Sequence, residues 1–268
     1  MKIETNPIFD YYPPNNKFIG VLSIPHSGMD LPEEFTPYLS NNSKDLAQDV
    51  DWKVHELVDI AAIPKAGIAV IKAHIIRTAV DLNRSRELAL LNWKKNSKGI
   101  EVVLKDPDET TAQRLLGKYY DPYYEMMRTL MEELKNYTKV PNFVDLHSMP
   151  SKAEEYHLKI NPNQPIERPD FCLSDQHGKT CEEAYIKFFQ TELMKGYKNV
   201  AINSPYVGGH ITQHVGKHWP QGNNIQIEIS RGIYMNEEVK ALNSEQVEYL
   251  KPRLTEAIIN GFETQFRA

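Results

Sequence analysis

Cysteine is nearly absent from this 268-residue chain, and its two copies, Cys172 and Cys181, share no metal-type C-x-x-C spacing. That argues against a disulfide scaffold and is compatible with a reducing interior. No apolar run approaches the roughly 20 residues that span a bilayer, and Met1-Lys2-Ile3-Glu4-Thr5-Asn6 has no apolar signal core. The expectation is a cytoplasmic protein without a membrane partner. Lysine and arginine form no block, and a formal net charge of -5 leaves no electrostatic footprint for nucleic acid. Gly-x-Gly-x-x-Gly and phosphate-loop patterns are missing, which disfavours a nicotinamide or nucleotide enzyme. Internal repeats and low-complexity segments are missing too, and oligomeric state leaves no trace in the sequence.

What is present is a chain 41% hydrophobic and 25% charged, ample for a buried core. A single domain over residues 1–268 is expected, with the proline-rich residues 1–16 as an irregular lead-in. Buried strands are read at Phe18–Ile24, Gly67–Ile76, Lys139–Met149, Val200–Ile202 and Ile225–Ile229 from their apolar, β-branched content. Helical spacing is read over 45–62, with Pro64 as its stop, and from Thr110 to Leu134, with Pro122 kinking or dividing it. Thr180 with Glu183 suggests a capping box, and Ser244 a cap on a last helix interrupted by Pro252. Residues 85–105 read as a long loop with one short helix, and 150–178 as a proline-rich excursion with His157 and His177 on the surface.

Chemistry-bearing residues gather at strand ends. Arg77-Thr78-Ala79-Val80-Asp81-Leu82-Asn83-Arg84 follows a buried strand and brings two guanidinium forks and an amide towards its mouth. Such forks match a carboxylate or a developing oxyanion. Pro25-His26-Ser27-Gly28 is a turn at the carboxyl end of the first strand, where open α/β sheets place ligands. In Asp145-Leu146-His147-Ser148, strand alternation sends Asp145 and His147 to one side, with Asp145 either orienting the histidine or acting as a base. Glu228 becomes a natural general base if its face of the Ile225–Ile229 strand points into the site, and is otherwise a solvated edge residue. The two glycines of Gly208-Gly209-His210-Ile211-Thr212 argue for a loop around a small ligand, so Gly209, His210 and Thr212 are candidate pocket residues, with His214 and His218 behind them.

Together, His26, His147 and a carboxylate would leave zinc an open position for water, the pattern of a catalytic site. Asp51, with Asp49 as the alternative, is the candidate for that carboxylate. Glu228 would move the proton, Arg77 would stabilise the oxyanion, and Asn83 and Arg84 would hold a substrate carboxylate. These roles describe hydrolysis of an amide next to an acid group.

Six motifs in order carry a resemblance: Pro25-His26-Ser27-Gly28, Asp49-Val50-Asp51-Trp52, Arg77 through Arg84, Asp145-Leu146-His147-Ser148, Gly208 through Thr212, and Gln226-Ile227-Glu228. From about residue 18 to 236 the chain resembles the N-formylglutamate amidohydrolases. That family is similar in its core to zinc carboxypeptidases and aspartoacylases. The resemblance implies a three-layer α/β/α sandwich with a mixed central sheet, one zinc ion (Zn2+) per chain, and formate released from a small anionic N-acyl amino acid. The carboxypeptidase His-x-x-Glu ligand pair is absent, since Met29 stands three residues after His26. Two rival readings remain: a zinc carboxypeptidase or deacylase acting on a peptide or cell-wall fragment, and a non-catalytic binding protein for an acidic metabolite.

Overall fold

In the computed structural model, which describes residues 4–5 and 7–264, apolar β-branched runs form a sheet and amphipathic stretches cover it. The strands are β1 (Glu4–Thr5), β2 (Phe9–Tyr12), β3 (Gly20–Ile24), β4 (Ile68–Ala73), β5 (Asn142–Met149), β6 (Phe171–Ser174), β7 (Val200–Ile202), β8 (Asn223–Ser230), β9 (Met235–Asn236) and β10 (Ala241–Leu242). The helices are α1 (Ser43–Leu46), α2 (Ala62–Lys65), α3 (Arg86–Ala89), α4 (Glu109–Tyr119), α5 (Asp121–Leu134), α6 (Glu155–Ile160), α7 (Glu183–Met194), α8 (His210–His218) and α9 (Ser244–Glu263).

The main sheet runs β1-β2-β4-β3-β5-β8-β6-β7. Its centre, β4, β3, β5 and β8, is parallel, while β2 joins β4 and β6 joins β8 antiparallel, so the sheet is mixed as expected. Parallel strands are covered on both faces, which is why these segments read as continuous apolar runs. Alternation along each strand divides the core in two. Val21, Ala69, Ile71 and Phe143 pack with Tyr123, Met127 and Val215 of α5 and α8 on one face. Leu22, Val70, Val144 and Ile227 pack with Ile186, Phe189, Leu254 and Ile258 of α7 and α9 on the other. Helices, sheet and helices make three layers.

Several local expectations are corrected. Residues 9–12 are no lead-in: Phe9 to Tyr12 pair with Ala73 to Val70, because Pro7, Pro13 and Pro14 flank this four-residue run without interrupting it. No long helix covers 45–62. Leu46 and Val50 enter one core and Val54, Leu57 and Val58 the other, and no single helical stripe can serve both faces of a sheet. The chain instead makes α1, a 3-10 turn at Val54–Leu57 and α2, with Pro64 inside the last. Thr180 caps nothing; its hydroxyl donates to the Asn224 carbonyl at 2.7 Å, tying the start of α7 to β8. Asn243, one residue before Ser244, caps α9, which runs unbroken through Pro252 on its exposed side. The division at Pro122 does occur, with the proline in the first turn of α5, where its missing N–H costs nothing.

The Gly208-Gly209 stretch also differs from expectation. α8 begins at His210, immediately after Gly209 in extended backbone at its N-cap. The glycines precede the helix and so do not oppose it. A Cβ on Gly209 would stand 2.2 Å from the Asn83 amide nitrogen, so this position requires glycine for close approach.

Candidate active site

The four parallel strands deliver their carboxyl ends to one cleft. On the α5 and α8 face, Val21 and Phe143 give way near those ends to Ser23, Asp145, His147, Gln226 and Glu228, all buried. The register sets Ser23 beside Asp145, Asp145 beside Gln226, and His147 beside Glu228. His26 follows β3 directly. There Gly28 lets the chain press on the His74 carbonyl, 2.1 Å from where a Cβ would stand.

Each histidine is held by a buried carboxylate. His147 Nε2 donates to Asp145 Oδ2 at 2.8 Å, and Asp145 Oδ1 accepts from Ser23, itself 2.9 Å from the Tyr123 hydroxyl. His26 Nε2 donates to Asp81 Oδ1 at 2.8 Å. Both Nδ1 atoms then turn towards Asp51 Oδ2, at 2.9 Å from His147 and 3.8 Å from His26. His26 Nδ1 is buried and has no hydrogen-bond partner among the described residues. His26, Asp51 and His147 each offer one ligand atom within 4.8 Å of the others, a group able to hold a metal ion. The donor set fits one: two neutral-nitrogen donors, one carboxylate, and a carboxylate behind each imidazole to set its tautomer. Asp49 lies outside this group, its Oδ2 accepting from the Ser97 amide at 2.9 Å.

Asp81 is the hub beside this group. Its Oδ2 accepts from Arg77 Nη2 at 3.1 Å and from the Trp93 indole at 2.7 Å, and lies 3.6 Å from Arg84 Nε. Arg77 and Arg84 lie 5.1 and 5.5 Å from the same Trp93 ring. Asn83 Oδ1 accepts from Ile211 N–H at 2.8 Å at the start of α8, while its Nδ2 stands 3.4 Å from His147 Nε2. Gln226 Oε1 accepts from Gly209 N–H at 2.7 Å, and Gln226 Nε2 donates to Glu228 Oε1 at 2.8 Å.

Burial pushes the Glu228 carboxyl up to about 7; Asp51 and Asp145 add to this, and His147 and Arg77 oppose it. Burial, reinforced by Arg77, holds His26 below the ordinary histidine value. Burial alone would also lower His147, but Asp145 and Asp51 outweigh it and raise it well above that value. Asp81 runs the other way: burial would raise it, yet Arg77, His26 and Arg84 keep it well below the carboxylate range.

The cavity is about 460 Å³ and is lined by His26, Asp49, Asp51, Arg77, Asn83, Arg84, His147, Gly209 and Glu228, together with Trp93, Tyr206 and Arg231. His210 and Thr212 do not line it. As α8 is helical, His210 turns to Tyr124, at 6.1 Å, and Thr212 into the interior. His157, expected on the surface, instead lines the cavity from α6. Sequence reasoning missed Arg231 and gave Asp81 no role. The Arg77-to-Asp81 spacing of four was the available signal for Asp81.

The N-formylglutamate amidohydrolase family model matches residues 20–235. An N-formylglutamate deformylase of Pseudomonas putida is 26% identical over 230 residues, 81% of this chain and 82% of its own length. One of Pseudomonas aeruginosa is 28% identical over 233 residues, with the same coverage. The crystal structure of an N-formylglutamate amidohydrolase from Ralstonia eutropha JMP134 superposes with a TM-score of 0.82 at 25% identity, covering 97% of this chain and 99% of that one. The mixed α/β fold and these matches place the protein in the class of amidohydrolases. Within that class, the chain belongs to the N-formylglutamate amidohydrolase family.

Proposed function

We propose that this protein hydrolyses the formamide of an N-formyl acidic amino acid, N-formyl-L-glutamate foremost, with one zinc ion held by His26, Asp51 and His147. The observation that carries this reading is the pair of carboxylate-held histidines presenting Nδ1 to Asp51, with Glu228 beside His147 in the register. Bound zinc supplies Lewis acidity and lowers the pKa of a coordinated water towards about 7.

The chain's own groups do the rest. Glu228, with its pKa near neutrality, takes the proton of the attacking water and passes it to the departing amine, so that formate and the free amino acid leave. Arg77, braced by Asp81, donates to the oxygen on which charge develops. Arg84, over the Trp93 ring and with its side chain 42% exposed, grips a substrate carboxylate together with Asn83, which lines the same cavity. α6 and the residues after it wall in the cavity, which favours a small amino acid over a peptide or cell-wall fragment. A pure binding role is disfavoured, since holding an acidic metabolite requires no base beside a metal group.

The test is zinc content of the purified protein together with formate release from N-formyl-L-glutamate before and after chelation. About one zinc per chain and chelator-sensitive formate release are expected. Absence of formate from the zinc-loaded protein would overturn the substrate.

A further inference from the structure

A second anion-seeking wall faces the cavity and takes no part in the chemistry above. Arg168 is only 7% exposed, yet its Nε and Nη1 have no hydrogen-bond partner among the described residues. Its Nη2 donates to the neutral Gln164 Oε1 at 3.0 Å. The other guanidiniums of the site have carboxylates near: Arg77 and Arg84 share Asp81, at 3.1 and 3.6 Å, and Arg231 lies 3.8 Å from Asp51. No carboxylate among the described residues forms an ion pair with Arg168. A buried, uncompensated guanidinium is unfavourable until an anion arrives.

The cavity face of this wall is Tyr206, whose ring centroid is 5.0 Å from the Arg168 guanidinium. The hydrogen bonds fix what the phenol can offer. The Glu154 amide donates to His157 Nδ1 at 3.1 Å, so a neutral His157 carries its proton on Nε2. That nitrogen lies 3.2 Å from the Tyr206 hydroxyl and donates to it. The hydroxyl oxygen is thereby an acceptor, and its own proton is left for an acceptor in the cavity.

We infer that Tyr206, backed by Arg168, receives the second carboxylate of the substrate and so selects an acidic side chain over a neutral one of equal length. This rests on the function proposed above. Arg84 takes one carboxylate of the dianion, and because two carboxylates repel, the other needs a separate donor and a separate positive charge. Tyr206 touches the substrate, and Arg168 supplies charge through and around its ring.

The experiment compares kcat/KM for N-formyl-L-glutamate and N-formyl-L-glutamine in the zinc-loaded wild type, Arg168→Met, Arg168→Lys and Tyr206→Phe. Each ratio is internal to one preparation, so a partly folded variant does not distort it. The wild type should prefer glutamate. Tyr206→Phe should cut that preference by about tenfold to a hundredfold, the scale of a hydrogen bond to a charged group. The loss should fall mainly in KM for the acidic substrate, with Arg168→Met losing about tenfold and Arg168→Lys recovering part of that. An active wild type without a preference, or a preference unchanged in Arg168→Met and Tyr206→Phe, overturns the inference and leaves the hydrolase standing. Release of formate from neither substrate by the wild type overturns both.

Discussion

At the scale of single residues, this site is a set of side chains each turned by a second. His26 and His147 are aimed by Asp81 and Asp145, and Glu228 is held by Gln226. Glu228→Gln should keep the metal and lower kcat by roughly 10²-fold or more, as expected for loss of a general base; steady-state kinetics with metal analysis of the same sample checks it, and near-normal turnover would reject the role. Much of this cast was readable in the chain, because histidine, aspartate and glutamate at strand ends stand out against apolar runs. The orienting role of Asp81 was not, since it depends on a loop folding back beside His26. His210 and Thr212 were misplaced for a different reason: glycines before a helix look the same in sequence as glycines within a loop, and the helix sends these side chains away from the cavity.

At the scale of elements, α8 carries a consequence of that helicity. His210, His214 and His218 line one face, with ring centroids 5.9 and 4.2 Å apart, and Tyr124 meets His214 edge-on. Burial, with His218, His210 and Lys217 adding charge, lowers the His214 pKa to about 4. In the unfolded chain it returns to about 6.5, so the unfolded state binds the proton first. The contribution is therefore whole above about pH 6.5 and is lost as pH falls towards 4. After discounting for solvent screening at this half-buried side chain, the effect is on the order of 1 kcal/mol. Urea unfolding at pH 7 and pH 5 should show a smaller loss of stability in His214→Gln than in the wild type, and an equal loss would refute the assignment. Elements with one clear period, such as α5 and β8, were the legible ones. The 45–62 stretch was not, because its apolar residues serve two cores.

At the scale of the whole molecule, the mixed sheet with helices on both faces could be anticipated from the six motifs, while strand order could not. The antiparallel β2 and β6 flank the parallel centre only because distant segments return to its edges. The candidate metal group has the same long-range character: His26, Asp51 and His147 come from three separate stretches of chain. A bound ion stabilises the native state by mass action, since the unfolded chain scatters these ligands. Chelation should therefore lower Tm by several degrees, and zinc should restore it in a calorimetric scan; an unchanged Tm would argue against occupancy at this site.

His147 and Glu228 are register partners on adjacent parallel strands, so their separation is governed by backbone hydrogen bonding at about 4.8 Å between chains. Tyr206, His157 and Gln164, by contrast, hang from connecting segments outside that lattice. On the roles proposed for these residues, reactivity and selectivity are mechanically separable. The connecting segments can be rewritten while the sheet keeps the distance between His147 and Glu228.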